Sequence, residues 1–303
     1  MPDQQPLNLT SAIALVTGGS NGIGAAVVSH LNTAGATVVI VDLASTESSA
    51  QTVIASLPQP SNALFLAADV ADWLQLRAVF GEVRRRFGGR LHLVVACAGT
   101  MEHHSILEDR FDVDGELEEP SEAYRTIDVN LKGSLNTLKL ALYALKSSPT
   151  STSTSSPRSI TLIASTAGYF DGAGTLAYTA SKHGVIGLLR ASQTEARKHK
   201  IRVNAVAPFF TSTHLTSGIA DAWVSAGLEV NSPQAVARVI VETAVDPLKE
   251  GVGVLVAGRY IRELEHTRMG LLSSWVGDEV SQFMGRAGAF FERIGGYVLP
   301  GPR

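Results

Sequence analysis

The chain has 303 residues, of which 45% are hydrophobic and 17% charged, with a formal charge of −3 and a pI near 6.2. These proportions exclude a mostly disordered chain and leave no basic footprint for nucleic acid, while the length suits one large α/β core with extras. A single cysteine, Cys97, excludes an internal disulfide and a multi-cysteine metal site and fits a reducing, cytoplasmic compartment. The opening "MPDQQPLNLTSA" lacks a basic region followed by an apolar run, so no secretory signal is expected there. No segment reaches the roughly 20 apolar residues that a bilayer span requires.

In chain order, short apolar, β-branched runs fall at residues 13–17, 37–42, 63–67, 93–97, 159–165, 202–207 and 253–257, with helix-length segments between them. Such alternation predicts a doubly wound α/β fold: about seven parallel strands, buried on both faces by helices, in one domain over residues 1–258. The glycine-rich "TGGSNGIG" at 17–24 leaves the first strand and opens a helix. In that context amide groups and the helix dipole can hold a pyrophosphate. Gly18 and Gly22 permit the turn and the close approach, and Gly24 lets the helix pack on the sheet. The second strand ends in Asp42, where a carboxylate can accept hydrogen bonds from both adenosine ribose hydroxyls and repel a 2′-phosphate. NAD is therefore expected over NADP. Asp69 and Val70, after the third strand, are candidates to border the adenine.

Further along, "SSPTSTSTSSPRS" cannot bury apolar area, so a flexible surface loop is expected over 147–158. Ser165 closes the fifth strand, on the edge of the sheet where open α/β folds bind ligands. In "AYTASKHG" the i, i+4 spacing of Tyr178 and Lys182 puts an ammonium within reach of a phenol. A lysine so placed can lower a tyrosine pKa, which matters if the phenol must move a proton. His103 and His104 have no third ligand at a useful spacing, so no metal site is expected. Beyond the seventh strand, residues 259–303 show helix-like apolar intervals. Core packing, a subunit contact and a membrane-surface helix are the candidates, in that order.

Together these residues resemble the short-chain dehydrogenase/reductase family. The match rests on "TGGSNGIG", Asp42, Asp69–Val70, Ala98–Gly99, "VN" at 129–130, Ser165, "YTASK" at 178–182, "RVNAVAP" at 202–208 and Thr213. These occur in the family's order over about 250 residues. Within it, "LKGSLNTLKLALYAL", "SKHGVIGLLRA" and "GRYIRELE" look most like alcohol dehydrogenases of fungal secondary metabolism and hydroxyprostaglandin dehydrogenases.

The resemblance implies a nicotinamide cofactor held by Gly18, Ser20, Asn21, Gly22, Ile23, Gly24, Asp42, Asp69, Val70, Ala98, Gly99, Tyr178, Lys182, Pro208, Thr211 and Thr213. It implies that Tyr178 exchanges a proton with the substrate oxygen, that Ser165 hydrogen-bonds that oxygen, and that Lys182 lowers the tyrosine pKa and binds the nicotinamide ribose. Asn130 would hold, through its carbonyl, a water that relays protons. An assembly of two or four identical subunits, through the helices around Asn130 and Tyr178, is implied as well.

Two positions depart from the family pattern. Cys97 stands where asparagine is usual, and Phe209 replaces the glycine after Pro208. Tyr169, Phe209, Phe210 and Trp223 are candidate walls of an apolar pocket, with residues 213–228 as a lid, which suits an apolar secondary alcohol or ketone. Two alternatives stand beside this reading: an enzyme with a net non-redox outcome, such as an epimerase, dehydratase or cyclase, and a non-catalytic NAD-binding protein.

Overall fold

Each strand of the first half alternates its side chains between two buried layers, and this alternation explains the near-continuous apolar runs. A computed structural model describes residues 7–149, 158–170, 174–297 and 301. The strands are β1 (Ile13–Thr17), β2 (Thr37–Asp42), β3 (Ala63–Ala67), β4 (Leu93–Ala96), β5 (Ser159–Ile163), β6 (Arg202–Pro208), β7 (Gly253–Ala257) and β8 (Tyr260–Glu263). Ile13 and Leu15 of β1 point into one core layer, while Ala14 and Val16 point into the other. In the same way Val39 and Val41 of β2 oppose Val38 and Ile40. Successive strand side chains face opposite ways, so a strand covered on both faces must be apolar throughout.

The strands form one sheet in the order β3-β2-β1-β4-β5-β6-β7-β8, and every pairing from β3 across to β7 is parallel. One layer is closed by α3 (Trp73–Arg86), α5 (Gly133–Ser147) and α6 (Leu176–Lys198), through Leu76, Leu145 and Leu189 among others. The other is closed by α1 (Gly22–Thr33) and α8 (Pro233–Val245), through Val28, Leu31, Val236 and Ile240. Each such side chain, fully buried, contributes about 1.5–3 kcal/mol of transfer free energy. A short α2 (Glu47–Ser56) lies between β2 and β3 in the chain. The chain turns one way from β1 through β2 to β3 and the other way from β4 onward. The crevice at that reversal, outside the carboxyl ends of the strands, is where such sheets take ligands.

The sheet has eight strands rather than the seven expected, because β8 joins β7 after a two-residue turn at Gly258 and Arg259. Its sequence "YIRE" is mostly exposed at the sheet edge, so it lacks the apolar run that marks a buried strand. Residues 150–157 of the expected Ser/Thr/Pro loop lie outside the described residues.

Residues 1–262 form one compact unit and residues 263–303 a second. The second consists largely of α9 (Glu265–Gly270), α10 (Leu272–Val276) and α11 (Asp278–Arg293). The Glu263 carboxylate accepts from the amides of Glu265, His266 and Thr267, capping the start of α9. Along α11, Val280, Phe283, Met284 and Phe291 recur at helical spacing, and all four are exposed.

Candidate active site

The loop between β1 and α1 is built by glycine. Gly18 adopts φ +67, and a Cβ placed there would sit 2.6 Å from the Cα of Ala98. A Cβ on Gly24 would meet the Gly18 carbonyl oxygen at 2.0 Å. Both positions therefore demand glycine, for conformation at the first and for contact at the second. No side chain caps the first turn of α1, whose N-cap residue is Asn21, so the leading amides of that helix face outward as donors.

Ser20 is buried, and its amide donates to Asp42 Oδ2 at 3.1 Å, while the Leu43 amide donates to Oδ1 at 2.9 Å. The acid at the end of β2 is thus fixed against the glycine loop. Thr46 adds a hydroxyl contact to Ser20 Oγ at 3.1 Å. These features fit a dinucleotide: outward amides for the pyrophosphate, a carboxylate for the ribose, and glycines wherever backbone must approach.

Asp69 follows β3 at the start of the turn into α3. Its carboxylate accepts from the Ala71 amide and pairs with Arg125 at 2.8 Å, on α4 (Ser121–Ile127). It lines an open cavity of about 410 Å³ with Trp73, Arg125, Asp128 and Lys132. Val70 is buried and packs where Gly133 leaves room, a Cβ there falling 2.5 Å from Val70 Cγ2.

At Cys97 the departure from the usual asparagine is compensated by Thr17. Its Oγ1 accepts from the amides of Cys97 at 3.1 Å and Ala98 at 3.3 Å, tying the β1 and β4 ends together. Burial pushes the Cys97 thiol up to about 12, which leaves it inert as a nucleophile at neutral pH.

The catalytic candidates converge. Ser165 caps a short 3₁₀ turn at Thr166–Gly168, and its hydroxyl lies near enough to the Tyr178 phenol to favour the phenolate. Lys182, one turn along α6, places Nζ 5.5 Å from the Tyr178 ring centroid. The ammonium itself donates to the Ile163 carbonyl at 2.9 Å. Burial brings Lys182 down to about 8.

The phenol is subject to opposing influences. Burial pushes Tyr178 above the ordinary tyrosine value, the Ser165 hydroxyl pulls it down, and the nearby Glu102 charge adds to the upward push.

Asn130 lies in a π-helical segment, Asp128–Lys132, that joins α4 to α5. Its side chain grips Thr100 twice, accepting from the Thr100 amide at 2.8 Å and donating to the Thr100 carbonyl at 2.9 Å. It also donates to Ser181 Oγ at 3.0 Å, while the Asn130 carbonyl accepts from Ser134 Oγ at 2.6 Å. A π-bulge of this kind commonly marks a functional site.

The aromatic candidates divide. Trp223, on α7 (Ala220–Ser225), stacks on Phe210 at 4.5 Å and meets Phe209 edge-on at 5.2 Å, with Phe209 half exposed. Tyr169 packs against the layer closed by α3, α5 and α6 and lies 6.4 Å from the Phe170 ring. Pro208 ends β6, and its carbonyl accepts weakly from Ser165 at 3.5 Å. Thr211 is buried, donating to the Phe209 carbonyl and accepting from Asn231 Nδ2. Thr213 begins the lid with a capping box to Thr216, and its methyl carbon would lie 3.4 Å from a Cβ on Gly22.

Sequence reasoning missed Glu102. This buried acid accepts from the Ala177 amide at 2.9 Å and from the Tyr178 amide at 3.2 and 3.0 Å. Its one sequence signal is its place three residues after "AG".

Comparison with known proteins agrees with this geometry. Residues 12–222 match the family model described as short chain dehydrogenase. A "Short-chain dehydrogenase/reductase prx4" of Penicillium roqueforti is 30% identical over 288 residues, 89% of this chain and 81% of its own length. A "5'-hydroxyaverantin dehydrogenase" of Dothistroma septosporum is 30% identical over 224 residues, 72% of each chain. The crystal structure of gox2181 superposes with a TM-score of 0.66 at 28% identity, covering 84% of this chain and 95% of that one.

Proposed function

The chain belongs to the short-chain dehydrogenase/reductase family, whose members bind a nicotinamide cofactor, and from that premise we propose that it is an NAD(H)-dependent oxidoreductase interconverting a secondary alcohol and a ketone. Its substrate is a small apolar molecule of secondary metabolism. The observation that carries this reading is the convergence of Ser165, at the carboxyl end of β5, with the Tyr178 phenol and with Lys182 one turn along α6, its Nζ 5.5 Å from the ring.

Asp42 selects NAD by accepting from the adenosine ribose, and no lysine or arginine occurs between residues 17 and 46 to welcome a 2′-phosphate. The outward amides of α1 would hold the pyrophosphate, and Lys182, which donates to the Ile163 carbonyl here, would bind the nicotinamide ribose. When bound, the nicotinamide ring supplies the two-electron acceptor or donor.

Tyr178 then exchanges a proton with the substrate oxygen, and Ser165 donates a hydrogen bond to that oxygen and holds it at the phenol. A phenol held above its usual pKa is already the acid that ketone reduction needs. Alcohol oxidation requires its pKa to fall, and the Lys182 ammonium and the cationic ring of a bound oxidised cofactor would both favour the phenolate. Asn130, gripping Thr100, keeps the loop after β4 in place beside Lys182, and its segment is the exit for the proton.

Phe209, Phe210 and Trp223 form the apolar wall, with residues 213–228 as lid. The exposed Tyr124, Leu135 and Tyr143 on α4 and α5 favour a homodimer or homotetramer through those helices. Residues 259–303 would add a packing or subunit contact, and a single cysteine suits a cytoplasmic setting.

The test follows NADH absorbance with NAD and NADP against a panel of apolar secondary alcohols and ketones, in wild type and Tyr178→Phe. Turnover with NAD that Tyr178→Phe abolishes is the expected result. Undiminished turnover in that variant would overturn the mechanism.

A further inference from the structure

The first turn of α6 has no side-chain cap of its own, since the N-cap residue Thr175 makes none. Its exposed amides at Ala177 and Tyr178 are instead taken by Glu102, an acid 75 residues earlier, on the loop that leaves β4. That loop is itself pinned two residues upstream, where Asn130 holds both the amide and the carbonyl of Thr100. Asn130 Nδ2 also reaches Ser181, whose hydroxyl donates back to the Tyr178 carbonyl at 2.7 Å. Asn130, Thr100, Glu102, Tyr178 and Ser181 thus close a ring of hydrogen bonds around the base of the tyrosine.

Resting on the proposed reaction, we propose that Glu102 is a positioning residue for proton transfer: its carboxylate anchors the Tyr178 amide and locks the first turn of α6 to the loop that also carries Gly99. A carboxylate at a helix N-terminus is doubly favoured, by the charge-assisted bonds and by the dipole. A cap alone could be supplied locally, by a Ser, Thr, Asp or Asn at the helix's own N-cap. Here the cap comes from the cofactor side of the crevice, so cofactor contacts at Gly99 and the seat of the phenol share one rigid element.

The same charge acts on the phenol. The groups facing Tyr178 are the Ser165 hydroxyl, Lys182 on its own helix and Glu102 on the β4 loop, with Cys97 beside Lys182. Glu102 opposes the phenolate, and the Lys182 ammonium would favour it.

The experiment compares Glu102→Gln, Glu102→Asp and Tyr178→Phe in the full chain, with the substrate found by the panel above and a steady-state pH profile of alcohol oxidation. Glu102→Gln keeps an acceptor oxygen and loses the charge. Its acid limb should move to lower pH by about half to one unit. Its kcat should fall about tenfold while the KM for NAD stays within about twofold, and Glu102→Asp should restore part of the kcat. Tyrosinate absorbance of the cofactor-free protein, taken as the difference from Tyr178→Phe, should show the same downward shift without any need for turnover.

A lower melting temperature with an unmoved acid limb, an unmoved tyrosinate titration and an unchanged kcat would reduce Glu102 to a structural cap and overturn the proposal. Activity surviving Tyr178→Phe would instead overturn the reaction on which it rests, so the two failures are told apart.

Discussion

The Ser20 amide donates to the Asp42 carboxylate across the mouth of the glycine loop, so the residue expected to choose the cofactor is also a strut of the loop expected to hold it. Asp42→Ala removes both contributions. NAD binding should weaken by about 10–100-fold, the loss of hydrogen bonds to a charged acceptor, and the relative use of NADP should rise. Calorimetric titration with both cofactors decides this, and an unchanged preference would remove Asp42 from the recognition site.

Tyr178→Phe deletes the proton donor while keeping the ring. Turnover should fall by about 10²–10⁴-fold with NAD affinity nearly unchanged, and Ser165→Ala should lower kcat by a similar order. Single-turnover measurement beside calorimetry separates chemistry from binding.

Lys182 is buried, and burial brings its pKa down from 10.5 to about 8. A lysine whose folded pKa is depressed costs stability wherever the unfolded chain holds the proton more readily. Its contribution is unfavourable and constant below pH 8, and it fades as pH rises toward 10.5. Lys182→Met should therefore unfold at higher temperature than wild type at pH 7, by roughly 1–3 kcal/mol of added stability, and be inactive. Thermal melts from pH 7 to 10.5 should show the gap narrowing, and a gap that widened would reverse the sign of this assignment.

Gly24→Ala would drive a methyl into the Gly18 carbonyl at 2.0 Å, a contact with backbone that no rotamer relieves. Destabilisation of about 2–4 kcal/mol and loss of NAD binding are expected, read by thermal melting and calorimetry.

The parts legible in the sequence share one property: their signal is local. The Gly18 to Gly24 loop, Asp42 at its strand end, and the Tyr178–Lys182 spacing each depend on residues within one βα unit or one helical turn. Glu102 was invisible because 75 residues separate it from the amides it caps, and no periodicity connects a loop acid to a distant helix start. The π-helical segment around Asn130 escaped for another reason, since a local change of helical repeat leaves the apolar pattern of a long helix nearly intact. β8 escaped because an exposed edge strand needs no apolar run. The pKa of Tyr178 depends on its burial and on the distant Glu102, neither of which the i, i+4 spacing to Lys182 reveals.

Thr17 has a consequence for the sulfur beside it. By taking the amides of Cys97 and Ala98 it frees position 97 from tying the strands, and the thiol left there is the chain's single cysteine. Burial holds that thiol well above the ordinary cysteine value, so alkylation of this partly buried sulfur at neutral pH is slow. Cys97 is therefore a built-in clock for access to the nucleotide crevice. The clock should slow as NAD is added, by the factor that mass action assigns to the bound state, and so it would report cofactor affinity before any substrate is known.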